Sequence, residues 1–231
     1  MYFNPHCRAE RQLFSILFTA LLLLVLRVGS ASADEIAVWN FNDSDLVVDH
    51  GSGTLASNFV PANIQFAAGT TNNVRLGDIA GQALSLQGGT GTANNGRNIT
   101  FNVSTLGFTN IIVSFATQGT STGFNLNQFQ YSLDGITFTD FGSPFVPATA
   151  FGAIPVVFTL SSIVGLNNNP NAAFRIVFNG ASTSTGNNRL DNFVVEGTAA
   201  PDSTIPEPST AVLLISGLTG LALKYKKRKA A

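Results

Sequence analysis

The residues that most often carry out catalysis are scarce in this sequence. It holds two histidines, His6 and His50, and one cysteine, Cys7. A Ser-His-Asp arrangement would depend on His50, whose surroundings, D-H-G-S-G, are typical of a turn. A catalytic zinc ion would need two or three histidine or cysteine ligands. The residue types therefore argue against nucleophilic catalysis and against zinc catalysis.

The carboxylates do not indicate an acid and base pair. Hydrolysis of glycosidic bonds needs two carboxylates that flank the scissile bond. Glu35 and Glu196 are the only glutamates between residues 34 and 204, and we expect them at the two ends of the fold. The aspartates show no spacing that indicates a pair. We predict that the protein is not an enzyme.

Hard oxygen ligands are frequent, and such ligands suit a structural calcium ion. The candidates are Asn42, Asp43 and Asp45 after the first predicted strand, and Asp191 and Asn192 on the last one. The first and last strands of a β-sandwich are commonly neighbours. A calcium site formed by Asn42, Asp43 and Asp191 is therefore one prediction, and calcium is the only cofactor that we consider.

The segments W-N-F-N-D and R-L-D-N-F-V-V resemble the first and last strands of carbohydrate-binding β-sandwiches that hold such an ion. The resemblance covers few residues. The alternative, which we favour, is that Asp43 and Asp45 cap a turn, while Arg189 and Asp191 pair with neighbours on the surface.

An all-β fold would position these groups. Short or alternating apolar runs are separated by connectors rich in Gly, Asn and Thr, which predicts a two-sheet antiparallel β-sandwich of the jelly-roll type over residues 34–197. An Asp134-Gly135 pair predicts a two-residue hairpin, and a change of phase predicts a β-bulge near Asn127. The predicted strands are 36–41, 46–48, 58–66, 83–87, 98–103, 110–116, 124–133, 136–141, 155–160, 174–178 and 189–196.

Binding of a sugar by stacking needs exposed aromatic side chains. Trp39 and Tyr131 alternate with apolar neighbours, which favours a place in the core for both. We therefore expect any binding surface in the connectors rich in Asn, Thr and Gly, for example at Asn187.

The first 33 residues have the pattern of a secretory signal peptide. Arg8 and Arg11 precede an apolar run, and Ala31-Ser32-Ala33 forms an A-x-A cleavage site before Asp34. Cleavage there would remove Cys7, so that disulfides could not stabilise the remaining chain.

The charge of the central region differs from that of the whole chain. Residues 34 to 204 carry four arginines, no lysine and 11 carboxylates, a net charge of −7, whereas the whole chain has −1. So acidic a region should repel nucleic acid and attract neutral polar partners or divalent cations. We exclude nucleic acid as a partner.

The final stretch has three ordered parts after a linker at residues 198–204. A Pro206-Glu207-Pro208 triplet is followed by an apolar segment, predicted as a helix over residues 209–223, and then by a basic cluster. The apolar run from Ala211 to Leu223 spans roughly 20 Å as a helix, against about 30 Å of hydrocarbon, so it is a marginal permanent anchor. The cluster keeps the terminus cytoplasmic by the positive-inside rule, and it consists of Lys224, Lys226, Lys227, Arg228 and Lys229.

Residues 205–231 closely resemble the PEP-CTERM sorting domain. The resemblance rests on Pro206-Glu207-Pro208, on the apolar segment that contains Gly217 and Gly220, and on the basic cluster. It implies an exosortase as partner, export by the Sec route, a transient stay in the inner membrane of a Gram-negative bacterium, and delivery to the cell surface or exopolysaccharide matrix. Such tails are also catalogued as an ice-binding protein C-terminal region, but the threonines show no regular T-x-T array.

Taken together, these patterns predict a secreted, non-enzymatic protein with a structural or adhesive role at the cell surface or in exopolysaccharide. The first alternative is a carbohydrate-binding module at the cell surface. The second is an enzyme that acts on glycans, against which the missing catalytic groups argue.

Overall fold

The computed structural model describes residues 33 to 200 as twelve β-strands with three single turns of 3₁₀ helix. The strands are β1 (Ala33–Trp39), β2 (His50–Gly51), β3 (Thr54–Ser57), β4 (Ile64–Ala68), β5 (Gln82–Gln87), β6 (Arg97–Asn102), β7 (Phe108–Gly119), β8 (Leu126–Ser132), β9 (Phe138–Asp140), β10 (Val156–Thr159), β11 (Ala173–Asn179) and β12 (Asn187–Ala199). The helical turns are Pro61–Asn63, Thr90–Thr92 and Val164–Leu166.

The strands form two antiparallel sheets. The seven-stranded sheet has the order β10-β7-β12-β1-β2, with β5 also paired to β12 and β4 paired to β5. The five-stranded sheet has the order β3-β6-β11-β8-β9. The predicted all-β, two-sheet antiparallel sandwich is thus confirmed for the described residues.

Strand β12 is the centre of the larger sheet. It pairs with β7 along one side, and its other side is shared by β5 near its start and β1 near its end. Its register with β7 shifts between Asp191 and Val194, where Asn192 adopts a left-handed φ of 49°. Such a bulge lets two consecutive side chains, Asp191 and Asn192, act on the same side of the sheet.

The core between the sheets is rich in phenylalanine. Phe101 of the smaller sheet stacks on Phe193 of the larger one at 3.5 Å between ring centroids, and Trp39 packs edge-on against both. Phe129 and Phe158 form a second stacked pair across the sheets at 4.0 Å. Burial of each such side chain contributes about 1.5 to 3 kcal/mol, which makes this cluster the main source of stability in a domain without disulfides.

The predicted hairpin exists, but its connection was wrongly predicted. Ser132 pairs with Phe138, so the loop is 133–137 rather than the two residues Asp134-Gly135. The Asp134 carboxylate accepts hydrogen bonds from the backbone N–H groups of Ile136 and Thr137 and from the Ser132 hydroxyl, at 2.7 to 2.9 Å. These local bonds stabilise the longer loop.

The predicted bulge near Asn127 was also wrong. Strand β8 pairs with β11 without a shift of register from Leu126 to Ser132. The alternation of apolar residues changes phase for another reason. Phe124 is buried but precedes the strand, and within the strand Leu126 is exposed whereas Asn127 is buried.

The remaining differences concern short segments and boundaries. No strand forms at 46–48, and the predicted strand 58–66 is divided between a helical turn and β4. The last strand continues to Ala199, two residues into the predicted linker, because Thr198 pairs with both Ala33 and Thr109. Within residues 33–200 no helix has the length and apolarity needed to cross a membrane.

Candidate functional site

The side of the five-stranded sheet that points away from the core is largely polar, and we call it the outer face; within it Thr100, Ser132 and Ala173 are buried. In β11, Phe174, Ile176 and Phe178 belong to the core, so the alternate residues Arg175 and Val177 point outward. The register then defines two rows of outward residues across all five strands. One row is Ala56, Thr100, Arg175, Gln130 and Asp140, and the other is Thr54, Asn102, Ala173, Ser132 and Phe138.

Arg175 is the centre of the outer face. Its guanidinium carbon lies 3.4 Å from the centroid of the Phe138 ring, and its Nε donates a hydrogen bond of 3.0 Å to the Thr100 hydroxyl. The Thr100 hydroxyl in turn donates to the Asn98 side-chain oxygen at 3.3 Å. These contacts hold the guanidinium plane in one orientation, and its two terminal nitrogens bond no residue between 33 and 200.

Hydrogen-bond acceptors lie on the strands next to Arg175, with Gln130 directly opposite it on β8. Gln130 donates from its amide nitrogen to the Asp140 carboxylate at 2.8 Å, and its amide oxygen accepts no bond from any described residue. Gln128 likewise donates to backbone carbonyls and keeps its amide oxygen free among the described residues. Asp140 is exposed, while Arg175, Gln128 and Gln130 are half-buried. The outer face therefore offers paired donors next to several acceptors.

Arg175, like Arg97 and Arg189, has no carboxylate partner in the described chain, and its guanidinium packs on the Phe138 ring instead. Arg75 forms a salt bridge to Glu196 at 2.8 Å, whereas Arg97 and Arg189 donate to backbone carbonyls. No carboxylate of residues 33–200 lies within salt-bridge distance of Arg175. Partial burial lowers the pKa of Arg175 from its ordinary value, but a guanidinium stays protonated at neutral pH.

A shallow polar cavity of about 220 Å³ opens at one end of the outer face. Asn102 lines the cavity and is also a residue of the outer face. The other polar residues around the cavity include Ser104, Asp134 and Asn171. Hydrogen bonds from the backbone of loop 133–137 hold the pKa of Asp134 far below its usual range, so this residue is a carboxylate at all ordinary pH values.

The opposite surface of the sandwich is covered. Residues 69–81, which connect β4 to β5 and which we call the strap, lie against the outward side of the larger sheet. Val38 and Val194 pair on that side and are fully buried although they lie outside the core cluster. The strap residue Asn73 donates to the Ser114 hydroxyl at 3.1 Å and to the Asn192 carbonyl at 2.8 Å.

Asp191 and Asn192 fasten the start of the strap. The Asp191 carboxylate accepts the Thr70 backbone N–H at 2.7 Å, and the Asn192 amide donates to the carbonyls of Thr70 and Asn72. Burial raises the pKa of Asp191 from 3.8 to about 7, although its two backbone hydrogen bonds oppose that change. The expected surface position of Asp191 was wrong, because its side chain is fully buried.

The calcium candidates lie near one another but make other bonds. The Asn42 side-chain oxygen accepts the Gln82 backbone N–H at 2.9 Å at the end of the strap, and Asp43 is exposed. Asp45 accepts the Val47 backbone N–H, as the turn-cap alternative predicted. Residues 33–200 contain no cluster of three or more His, Cys, Asp or Glu side chains suited to a metal ion. A calcium site at Asn42, Asp43 and Asp191 stays a prediction.

Glu35 and Glu196 do not lie at opposite ends of the fold, contrary to our expectation. They face each other across β1 and β12, and Arg75 of the strap lies 3.7 Å from the first and 2.8 Å from the second. The arginine is bonded to Glu196 through two nitrogens, so the pair forms part of the fastening of the strap.

His50 also belongs to this fastening. Its Nε2 lies 3.0 Å from the carboxylate of the strap residue Asp78, which also accepts the Asn40 amide at 2.9 Å. His50 lies in the short strand β2 rather than in the predicted turn. Asp49 accepts the Asn40 backbone N–H, and its pKa is raised chiefly by burial.

The segment Gly119 to Gly123 reads G-T-S-T-G, the pattern of a serine nucleophile elbow, and sequence analysis missed it. In the structure it connects β7 of the larger sheet to β8 of the smaller one, whereas an elbow joins a strand to a helix. Ser121 is exposed, and none of its contacts in the described chain is to His50. The match therefore identifies a turn.

Most of the remaining predicted residues lie either in or near the core or outside the described part of the chain. Trp39 is fully buried in the core and Tyr131 is half-buried against it, as the alternation predicted. Ala33 is the first residue of β1, whereas Ala31, the sorting motif Pro206-Glu207-Pro208 and the tail cluster from Lys224 to Lys229 lie outside the described residues. Phe138 and Arg175 were missed as site residues, because the contact between them depends on the pairing of β9 with β8 that the loop at 133–137 sets.

No protein-family model matches this chain, and no curated protein sequence matches it. Solved structures do. One is domain 4 of a GH43 extracellular arabinanase from Geobacillus stearothermophilus in complex with arabinotriose, at 15% identity and TM-score 0.45, covering 72% of this chain and 94% of that one. Another is a CBM61 module in complex with β-1,4-galactotriose, at 9% identity and TM-score 0.40, covering 68% and 92%.

A third match is the tandem CBM22 domain of a Paenibacillus barcinonensis protein, Xyn10C, at 10% identity and TM-score 0.43, covering 75% of this chain and 49% of that one. Carbohydrate-binding modules are thus among the structures that this chain is similar to.

Proposed function

We propose that this protein is a secreted, non-enzymatic glycan-binding β-sandwich that binds neutral polysaccharide on its outer face. The observation that carries the proposal is the Arg175 guanidinium, which is stacked on Phe138 and bonded to Thr100 while its terminal nitrogens stay free among the described residues. A charged donor held in one orientation on an open surface is suited to binding a polar ligand.

The hydrogen-bond pattern of the outer face matches vicinal hydroxyl groups. Each sugar hydroxyl both donates and accepts, so two neighbouring hydroxyls can accept from the Arg175 terminal nitrogens and donate to the amide oxygens of Gln128 or Gln130. Asp140 supplies a further acceptor at the edge of the sheet. Because the guanidinium is flat and weakly hydrated, it also offers a surface on which a sugar ring can pack.

The charge of the central region favours neutral glycans over acidic ones. Residues 34 to 204 carry a net charge of −7, which repels an anionic polymer at low ionic strength. A single cation provides a directed hydrogen bond without making the surface basic. An adhesive role in the cell envelope or exopolysaccharide matrix would follow from binding of this kind.

The route to that location is proposed from the sequence. The leader at residues 1–33 would direct export by the Sec route, and the PEP-CTERM tail would hold the chain in the inner membrane through a helix until an exosortase processed it. We also propose that the strands of the two sheets wind as a jelly roll. A test is the intact mass of the surface-exposed protein in strains with and without the exosortase, where a form that starts at Asp34 and ends near Pro206 is expected only with the enzyme.

The test of glycan binding is affinity gel electrophoresis of the full chain in non-ionic detergent. The gels contain dextran, xylan or β-1,4-galactan as neutral polymers, with alginate as a carboxylate-bearing one. Arg175→Ala should weaken binding about tenfold or more, since a hydrogen bond from a charged group contributes about 1.5 to 3 kcal/mol. The matched control is Arg97→Ala, which removes the same charge from outside the two rows of the outer face.

Equal retardation of the Arg175→Ala and Arg97→Ala variants would refute the site. No retardation of the unmodified chain by any neutral polymer would refute glycan binding and would favour a purely structural role without a saturable ligand. New reducing ends released from a bound polymer would refute the non-enzymatic part of the proposal.

A further inference from the structure

Strand β10 is an edge of the larger sheet with an unpaired side. It pairs with β7 alone, from Val156 opposite Phe115 to Thr159 opposite Ile112. Beyond the strand, the Leu160 backbone N–H donates to the Ile111 carbonyl at 2.9 Å. Hydrogen-bonded pairs recur every second residue, so Phe158 and Val156 also bond to β7.

The backbone groups of Val157 and Thr159 therefore point away from the sheet. Neither residue has a backbone hydrogen-bond partner on that side among residues 33–200. Both side chains are exposed, and that of Val157 is 51% accessible. An exposed row of unpaired N–H and C=O groups is a template for another strand.

Charged residues that would protect this edge are missing. The chain contains no charged residue and no histidine between Asp140 and Arg175, a stretch that includes the whole of β10. The net charge of −7 on residues 34 to 204 lies elsewhere, so two copies that approach through β10 meet the least repulsion.

The other edge strands are shorter than β10 or have an arginine side chain bonded beside them. β2 has two residues and includes His50, and β9 has three and includes Asp140. β4 is guarded by Arg189, which donates to the Ala68 carbonyl at 3.0 Å, and β3 is followed by Asn58, whose carbonyl accepts from Arg97. Charged side chains of this kind are a common protection against edge-to-edge pairing.

We propose that β10 is a self-association edge, through which two copies of this chain pair antiparallel about a twofold axis at Phe158. In this register Val157 of each copy lies opposite Thr159 of the other, and both residues direct their free groups outward. The pairing forms about four backbone hydrogen bonds, and it ends at Pro155, which has no N–H to donate.

Pairing through β10 would make the larger sheets of the two copies continuous. A twofold axis perpendicular to a sheet keeps its two sides distinct, so both outer faces would stay free and point the same way. A dimer would thus bind one polysaccharide at two places, which raises its avidity without any new contact.

The first experiment is sedimentation velocity of the full chain in non-ionic detergent from about 1 to 200 µM, a range over which a weak dimer dissociates. Val157→Lys places like charges near the twofold axis and should weaken dimerisation about tenfold or more. The matched control is Val164→Lys in the same uncharged stretch, where the valine is 73% exposed but outside the edge. It should dimerise like the unmodified chain.

A monomer throughout that range would overturn the proposal. So would equal association of the unmodified chain, Val157→Lys and Val164→Lys, because association through the terminal segments would affect all three alike. Circular dichroism of each variant establishes that it is folded before its association is compared.

A second experiment tests the register. In a Cys7→Ser background, copies with Val157→Cys and copies with Thr159→Cys are given different tags, mixed and oxidised. Opposite residues of a hydrogen-bonded pair lie about 5.5 Å apart between Cα atoms, within the range of a disulfide. The mixed disulfide should exceed either homodimeric one, and a yield no greater than that of Val164→Cys would overturn the proposed pairing. Affinity gels of Arg175→Ala test glycan binding independently, so the two proposals can fail separately.

Discussion

Arg175 and Asp191 are both charged or chargeable groups held by a β-sheet, and their surroundings give them different roles. Arg175 is half-exposed and keeps free donors among the described residues, so it is available to a ligand. Asp191 is fully buried, and both of its oxygens accept backbone hydrogen bonds, from Thr70 and from Asn192. The Asp191 carboxylate therefore has a structural role, because its hydrogen bonds fasten the strap to the central strand β12.

The raised pKa of Asp191 predicts a pH dependence of stability. Its pKa is about 7 in the folded protein against an ordinary value of 3.8, so the folded state binds this proton more tightly than the unfolded state does. Its contribution to the free energy of unfolding is fully present below pH 4 and is lost as the pH rises through 7. Asp191→Asn should lose about 1 to 3 kcal/mol through an imperfect hydrogen bond, but it should lack this dependence.

The measurement is the urea midpoint of both proteins between pH 4 and pH 8. We expect the advantage of the unmodified chain over Asp191→Asn to shrink steadily as the pH rises. A constant difference across that range would contradict the raised pKa.

The alternation of apolar and polar residues was enough to place most single residues. It assigned Trp39 and Tyr131 to the core, and both pack there. It could not place Phe138, because the phase of a strand after a loop depends on the length of the loop, and the hydrogen bonds accepted by Asp134 stabilise a longer loop than the sequence predicted. The burial of Asp191 depends on a segment more than one hundred residues away in sequence, which no local pattern indicates.

The strap is an irregular element that is held without any disulfide. Its two ends meet at Gly69 and Gly81, where the Gly69 N–H donates to the Gly81 carbonyl at 3.1 Å. Between these ends Arg75 donates to Glu196, and Asp78 accepts a hydrogen bond from the Asn40 amide. Bonds between side chains thus replace regular backbone pairing. Isolated bonds of this kind contribute little each, but together they bury the outward side of the larger sheet.

The glycines of the strap should respond differently to substitution. A Cβ at Gly81, which has a φ of 38°, would lie 1.6 Å from the Asn42 side-chain oxygen. A Cβ at Gly77, with a φ of 81°, meets no atom within 4 Å. Gly77→Ala should cost about 1 to 2 kcal/mol from backbone strain alone. Gly81→Ala should cost clearly more, because the hydrogen bond that the Gln82 backbone N–H donates to the Asn42 side-chain oxygen must also break.

Urea denaturation of the two alanine variants measures this difference. Equal midpoints would contradict the contact between Gly81 and Asn42, because both variants share the strain of a left-handed φ. Far-ultraviolet circular dichroism, which reports on the strands, should be unchanged in both variants.

Sequence periodicity identified the long strands and also the short strands β9 and β10, but it missed β2 and β3. Strands β2 and β3 have two and four residues, too few for alternation to be distinguished from a polar connector. They form because their neighbours, β1 and β6, offer unpaired edges. The order of strands in the two sheets likewise depends on long-range pairing, of which the sequence predicted only that of β1 with β12, besides the local hairpin of β8 and β9.

At the scale of the whole molecule, both sheets share one core. Trp39 is the only tryptophan in the chain, and it packs against Phe193 of its own sheet and Phe101 of the other. Its fluorescence therefore reports on the contact between the sheets, whereas circular dichroism reports on the strands themselves. In a domain with a single core the two signals should change together.

We predict coincident unfolding transitions of Trp39 fluorescence and far-ultraviolet circular dichroism in urea. The folded protein should emit at short wavelength, since the indole is fully buried, and the emission should shift to longer wavelength in one step. Two separate midpoints would show that the sheets unfold independently, which would contradict a shared core.

The position of β12 has a mechanical consequence. This strand of 13 residues is bonded to β7 on one side and to β5 and β1 on the other, and it ends at Ala199. A pull on Ala199 along the strand would load hydrogen bonds on both sides in shear, so many bonds would have to break at once. If the outer face holds a polymer, tension between that polymer and the C-terminal end of β12 would pass through the best-connected strand of the described fold. A sandwich built in this way should withstand stretching better than one whose last strand lies at an edge and can be peeled away bond by bond.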